Sequence, residues 1–141
     1  MEDTFSPRIA AVLNDRIGDS PTAYQVAEVV IGLCQEIERV LVPIIGPGGV
    51  GALYQRSLHL ARAAYGWVDI SPAGPMPAAD FSPLRSLLER QSPEVALAGG
   101  TAVLETFSRL LVSLIGFSLS DQLLAAVWLR PNTDSSVQDA P

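Results

Sequence analysis

One histidine and one cysteine occur among the 141 residues, so the side-chain chemistry open to this chain turns on His59, Cys34 and the carboxylates near them. A lone imidazole and a lone thiol do not make a His-rich or Cys-rich metal site, and a single thiol closes no internal disulfide. Cys34 ends the run Val29-Val30-Ile31-Gly32-Leu33-Cys34, which reads as a small buried hydrophobe rather than a reactive thiol. All nine basic residues are arginine. The absence of lysine excludes Walker-type phosphate loops, Schiff-base and pyridoxal phosphate enzymes and Ser-x-x-Lys nucleophiles. Ser57 and His59 stand two apart on a helical segment and point to opposite faces, so they do not form a nucleophile and base. No enzyme, cofactor or metal ion is expected.

The surface with chemical content surrounds His59. On a helical wheel Gln55, Arg56, Arg62 and Gly66 fall within about 60° of it, with Ala52 and Ala63 beside them. Leu53, Tyr54, Ser57, Ala61, Ala64, Tyr65 and Val68 fall on the other side. No carboxylate occurs between Glu38 and Asp69. An acidic chain thus presents one basic strip centred on a histidine, and Gln55, Arg56, His59, Arg62 and Gly66 are the expected binding face. The leading expectation is a non-catalytic, cytoplasmic helical module of bacterial signalling that binds another protein.

His59-Leu60-Ala61-Arg62 followed by Gly66 resembles the motif of histidine phosphotransfer domains. There a histidine is followed three residues later by a basic residue, then by small residues and often a glycine seven on. The resemblance implies an acidic helical bundle in which His59 accepts a phosphoryl group and Arg62 holds its oxygens. A receiver domain or kinase would then be the partner. The chain departs from that pattern at Ala63, where the family usually has glycine, and at Ala64-Tyr65, where small polar residues usually follow. Ala52–Leu60 and Ser113–Trp128 are also similar to stretches of small helical proteins of GC-rich bacteria, a resemblance that implies no activity.

The elements that must position these residues follow from composition and punctuation. The chain is 48% hydrophobic and 17% charged with a mean hydropathy of +0.29, enough apolar material for one real core. Its net charge of −6 argues against a broad grip on nucleic acid or an anionic membrane. The apolar runs Val40–Leu53 and Leu110–Leu119 are shorter than the ~20 residues of a membrane span. Met1-Glu2-Asp3-Thr4 lacks the basic and apolar regions of a signal peptide, hence the cytoplasmic expectation.

Ser-Pro at residues 6, 20, 82 and 92 reads as repeated helix starts, serine capping and proline taking the first helical position. Helices are expected at about 7–17, 21–42, 50–67, 83–91, 93–115 and 118–130. Gln25, Glu28, Gln35, Glu36 and Arg39 would form a solvated face of the second. Gly46–Gly51 reads as an interhelical turn, Gly99-Gly100-Thr101 as a possible interruption of the fifth helix, and Ser118–Asp121 as a capping box. Leu110–Ile115, apolar nearly all round, marks a central helix. The fold class is all-α: a helical bundle of about six helices in one domain over 1–131, with a Pro-rich loop at about 69–80 and a polar tail at 132–141. So apolar a small domain is expected to self-associate as a homo-oligomer, with Tyr54, Tyr65 and Trp128 as patch residues.

Overall fold

Apolar side chains recur at three- and four-residue spacing along most of this chain, and each such stretch is helical. The computed structural model describes residues 5–68 and 79–128. Its elements are α1 (Phe5–Ile17), α2 (Ala23–Ala61), α3 (Ser82–Glu89), α4 (Pro93–Ile115) and α5 (Phe117–Trp128). No strand occurs among the described residues, so the all-α bundle stands. Most of the 69–80 loop and the whole 132–141 tail lie outside the described residues.

Among the described residues the bundle has five helices rather than six, because the second and third expected helices form one element with a bend at Gly46. Gly46 alone departs from helical geometry (φ 80°, ψ 162°), a conformation that glycine adopts at little cost. Pro47 then restarts the helix at a position where an N–H would have no intrahelical partner. Cys34 and Tyr54 would lie about 30 Å apart in a straight helix rising 1.5 Å per residue. Both line one small cavity, so the second limb of α2 folds back along the first.

Helix α4 runs parallel to the first limb of α2. A Cβ built on Gly100 would lie 2.7 Å from Val30 Cγ2, and Cys34 and Ile37 share the cavity with Val103, Leu104 and Phe107. The Gly99-Gly100-Thr101 sequence therefore does not interrupt the helix. The two glycines remove side chains where neighbours press closest: a Cβ on Gly99 would lie 2.3 Å from Trp67 Cζ2. Thr101 caps nothing and donates its hydroxyl to Leu97 O at 2.7 Å.

Around this pair pack Ile9 and Leu13 of α1, Leu84 and Leu88 of α3, and Leu124 and Val127 of α5, all buried. Ion pairs tie the outer helices to α2. Arg16 Nη1 meets Glu36 Oε2 at 3.0 Å, and Arg85 Nη1 meets Glu28 Oε2 at 2.6 Å. Glu36 is accordingly half-buried, an exception to the solvated face expected around it, and its Oε1 is buried without a partner.

Helix starts correct the Ser-Pro reading. Ser92 caps α4 as expected, accepting from Val95 N at 3.3 Å. The cap of α2 is Thr22 rather than Ser20: its hydroxyl accepts from Gln25 N at 3.1 Å, and Gln25 Oε1 accepts from Thr22 N at 2.9 Å. Ser82 lies inside α3, and its N–H donates to Asp80 Oδ1 at 3.1 Å. Ser118 and Ser120 lie inside α5, where Ser120 donates to Gly116 O at 2.7 Å instead of capping.

Helix α4 is long and apolar enough to cross a membrane by length and composition, a property spread over its whole length rather than held in one unbroken apolar run. Much of that apolar character serves the bundle: Ala96, Val103, Leu104, Phe107 and Leu111 are core residues, and Glu105 and Arg109 occupy its outer side. Its last turn is not enclosed all round, since Leu114 is 59% exposed.

Candidate functional site on the second limb of α2

The second limb of α2 has a clear inward face. Val50, Tyr54, Ser57, Leu58 and Ala61 are buried, and Ser57 donates to Leu53 O at 2.7 Å. A serine that returns its proton to its own helix while buried is not available to His59, which is exposed on the other side. Arg56 and Arg62 are exposed with it, and Gln55 is half-buried at the edge. The helical part of the strip is thus one outward surface, with a positive guanidinium before and after the imidazole.

The wheel fails beyond Arg62. The helix ends at Ala61 with Arg62 as its C-cap, six residues before the expected stop at Trp67. Ala63 N bonds Leu60 O at 3.2 Å and Ala64 N bonds Ala61 O at 3.1 Å, a tightened last turn. The chain leaves the helix as Trp67 docks over Gly99 of α4. Gly66 is exposed but lies in the turn that follows, so it does not continue the face of His59 down the helix. Ala64 is exposed for the same reason. The small residue expected one to two turns beyond the histidine is therefore off the helix, a further departure from the phosphotransfer pattern.

A second group of reactive side chains lies in the core. Cys34, Ile37, Val50, Tyr54, Phe81, Val103, Leu104 and Phe107 line a cavity of about 10 Å³, room for about one water molecule. The Tyr54 ring meets Phe81 edge-on at 4.9 Å, and its hydroxyl is buried with no hydrogen-bond partner. Burial, with the nearby Glu38 carboxylate, pushes the Cys34 thiol up to about 12. Burial likewise raises the Tyr54 phenol well above its usual range, reinforced by Cys34 and Asp80. Both groups stay protonated at neutral pH, and neither supplies a nucleophile there. The apolar setting of Cys34 was legible from its neighbours in sequence. The stranded Tyr54 hydroxyl was not, because a wheel assigns a face and says nothing of partners.

Tyr54, expected on an exposed self-association patch, is 2% exposed and belongs to the core. Tyr65 is half-buried, and the Trp128 side chain lies outside the described residues. No group of three or more His, Cys, Asp or Glu side chains suited to a metal ion occurs among the described residues. No family model matches the chain, and neither the curated proteins nor the solved structures provide a match.

Proposed function

We propose that this chain is a non-catalytic helical module that binds a partner protein through the outer face of the second limb of α2, with an acidic segment of the partner as the recognised element. The observation that supports this is the exposure of Arg56, His59 and Arg62 on one surface of a chain whose net charge is −6. No carboxylate occurs between Glu38 and Asp69, so this limb of α2 contributes only positive side-chain charge to that face. Rim charges of this kind steer encounter and fix register more than they add affinity, so binding should be salt-sensitive. A regulatory or signalling role fits a module that captures without transforming.

A second reading, histidine phosphotransfer, is favoured by the exposure of both His59 and Arg62 one turn apart. It is weakened by the position of Gly66 off the helix. One experiment separates the two. The chain is incubated with a phosphorylated receiver domain and read by intact mass, alongside titration with a fluorescent helical peptide bearing glutamates on one face. The binding reading expects peptide capture that His59→Gln leaves nearly unchanged and no phosphoryl adduct. An acid-labile adduct lost in His59→Gln would establish the second reading and overturn the first.

A further inference from the structure

Two stretches of this chain, 70 residues apart, follow one pattern. Arg39-Val40-Leu41-Val42-Pro43-Ile44-Ile45-Gly46 closes the first limb of α2, and Arg109-Leu110-Leu111-Val112-Ser113-Leu114-Ile115-Gly116 closes α4. Arginine, leucine, valine, isoleucine and glycine recur at the same places, and leucine replaces Val40 and Ile44. A shorter helix precedes each stretch, and Phe-Ser-Pro stands at the start of both, residues 5–7 for α1 and 81–83 for α3. The likeness extends to conformation: both glycines bend the chain in nearly the same way, Gly46 at φ 80°, ψ 162° and Gly116 at φ 90°, ψ 160°. Past each bend a second helix begins, the second limb of α2 and α5, and the shared bend fixes how the two align. Their depths then match: Val50 and Ser120, Tyr54 and Leu124, and Ser57 and Val127 are buried, whereas Ala52 and Gln122, and Arg56 and Ala126, are exposed.

We infer that one helical unit is present twice in this chain, as α1 with α2 and as α3 with α4 and α5. The two copies pair about a two-fold axis along the seam between the first limb of α2 and α4, as the subunits of a homodimer do. The contacts at that seam support this independently of the sequence likeness. On a two-fold axis between parallel helices, each residue at the contact meets its own counterpart. Val30 meets Gly100, 70 positions on, and Cys34 and Ile37 line the cavity with their counterparts Leu104 and Phe107. Two valines have no room at the first of these places, since even a Cβ on Gly100 would lie 2.7 Å from Val30 Cγ2, and the second copy has glycine there. The outer helices obey the same exchange: α1 packs on α4 as α3 packs on α2, and the Arg85–Glu28 ion pair joins one copy to the other.

The copies differ on their outer faces. Ala126 stands in α5 where the second limb of α2 has Arg56, and in sequence Leu129 and Asn132 stand where His59 and Arg62 do. The basic strip therefore belongs to one copy, and the pairing does not depend on what that strip binds.

The test is pulsed electron resonance on the full chain with spin labels on cysteines placed at exposed positions, the native Cys34 being buried. Arg39, Arg56, Arg109 and Ala126 are all exposed, so replacing them leaves the core intact. Exchange of the copies turns the pair 39 and 126 into the pair 109 and 56. Arg39→Cys/Ala126→Cys and Arg56→Cys/Arg109→Cys should therefore give the same mean distance, although their separations in sequence differ widely. Mean distances that differ by more than the widths of the distributions would overturn the inference. A second readout needs no label. Val30→Gly and Gly100→Val should each lower the urea midpoint, the first by opening a hole and the second by overfilling the seam. The double exchange Val30→Gly/Gly100→Val should recover at least half of the summed loss, because the two places have equivalent surroundings. An exchange as unstable as the two single changes together would place Val30 and Gly100 in unlike surroundings and would also overturn the pairing.

Discussion

Replacing Gly100 with alanine and replacing Gly32 with alanine should have opposite effects on stability. Both lie inside helices, where alanine is preferred over glycine by about 1 kcal/mol. At Gly32 a Cβ meets nothing within 4 Å, so Gly32→Ala should stabilise by about 0.5–1 kcal/mol. At Gly100 the new carbon would lie 2.7 Å from Val30 Cγ2 and 3.1 Å from Cγ1. Val30 is fully buried and β-branched, so its side chain has little freedom to rotate away. Overpacking of this kind costs about 1–3 kcal/mol, and a 2.7 Å approach to an unyielding side chain belongs in the upper half of that range, so the propensity gain is outweighed and Gly100→Ala destabilises by about 1–2 kcal/mol. Urea denaturation midpoints at constant slope are the assay. In a Val30→Ala background the same Gly100→Ala change should lose its penalty, since the obstructing methyl groups are gone. If Gly100→Ala stabilises as much as Gly32→Ala, or shows no coupling to Val30, then α4 does not lie against α2 in the register described.

Three further outcomes follow from the core cavity. With its thiol pushed up to about 12 from an ordinary 9.0, Cys34 should carry about a thousand-fold less thiolate near pH 8. Iodoacetamide should then label it slowly until urea unfolds the chain, and a native labelling rate close to the unfolded one would contradict the burial. Because Cys34 and Tyr54 hold their protons more tightly folded than unfolded, stability should be level below about pH 9 and fall as pH rises toward 12. Denaturation midpoints that stay level or rise over that interval would refute this. Tyr54→Phe removes a buried hydroxyl that has no partner, so it should be neutral or stabilising by about 1 kcal/mol, and a clear loss in thermal melting would reveal a partner in solution.

Local signals along the chain were strong enough to read the helical class, the stops at Gly18 and Gly116 and the cap at Ser92. They also placed the break near Gly46. What they did not convey was that the break occupies a single residue, so that two expected helices become one bent element. Proline and glycine mark where a helix is weak, and only packing decides whether it resumes at once. The Gly99-Gly100 pair shows the same limit: a breaker signal in isolation, it is a packing notch once Trp67 and Val30 are in place. The strip was legible as far as the helix runs, through Gln55, Arg56, His59 and Arg62. Gly66 was misplaced because the docking of Trp67, a long-range contact, ends the helix early. Tyr54 was misjudged as a patch residue although the wheel sets it opposite His59, and that side is the one packed into the core, with Phe81 against the ring.

The proposed role rests on where the positive charge lies, not on how much of it there is. The most direct measurement is binding of the glutamate-faced helical peptide, as a function of salt, to Arg56→Glu/Arg62→Glu and to Arg39→Glu/Arg90→Glu. Each double variant replaces two positive charges with two negative ones, so both move from −6 to −10 overall. Arg39 and Arg90 are exposed outside the strip. The strip variant should lose most of its affinity and its salt dependence, while the control retains binding within a few-fold of the wild type. Equal losses in the two variants would show that net charge alone governs capture, and would contradict a binding face at His59.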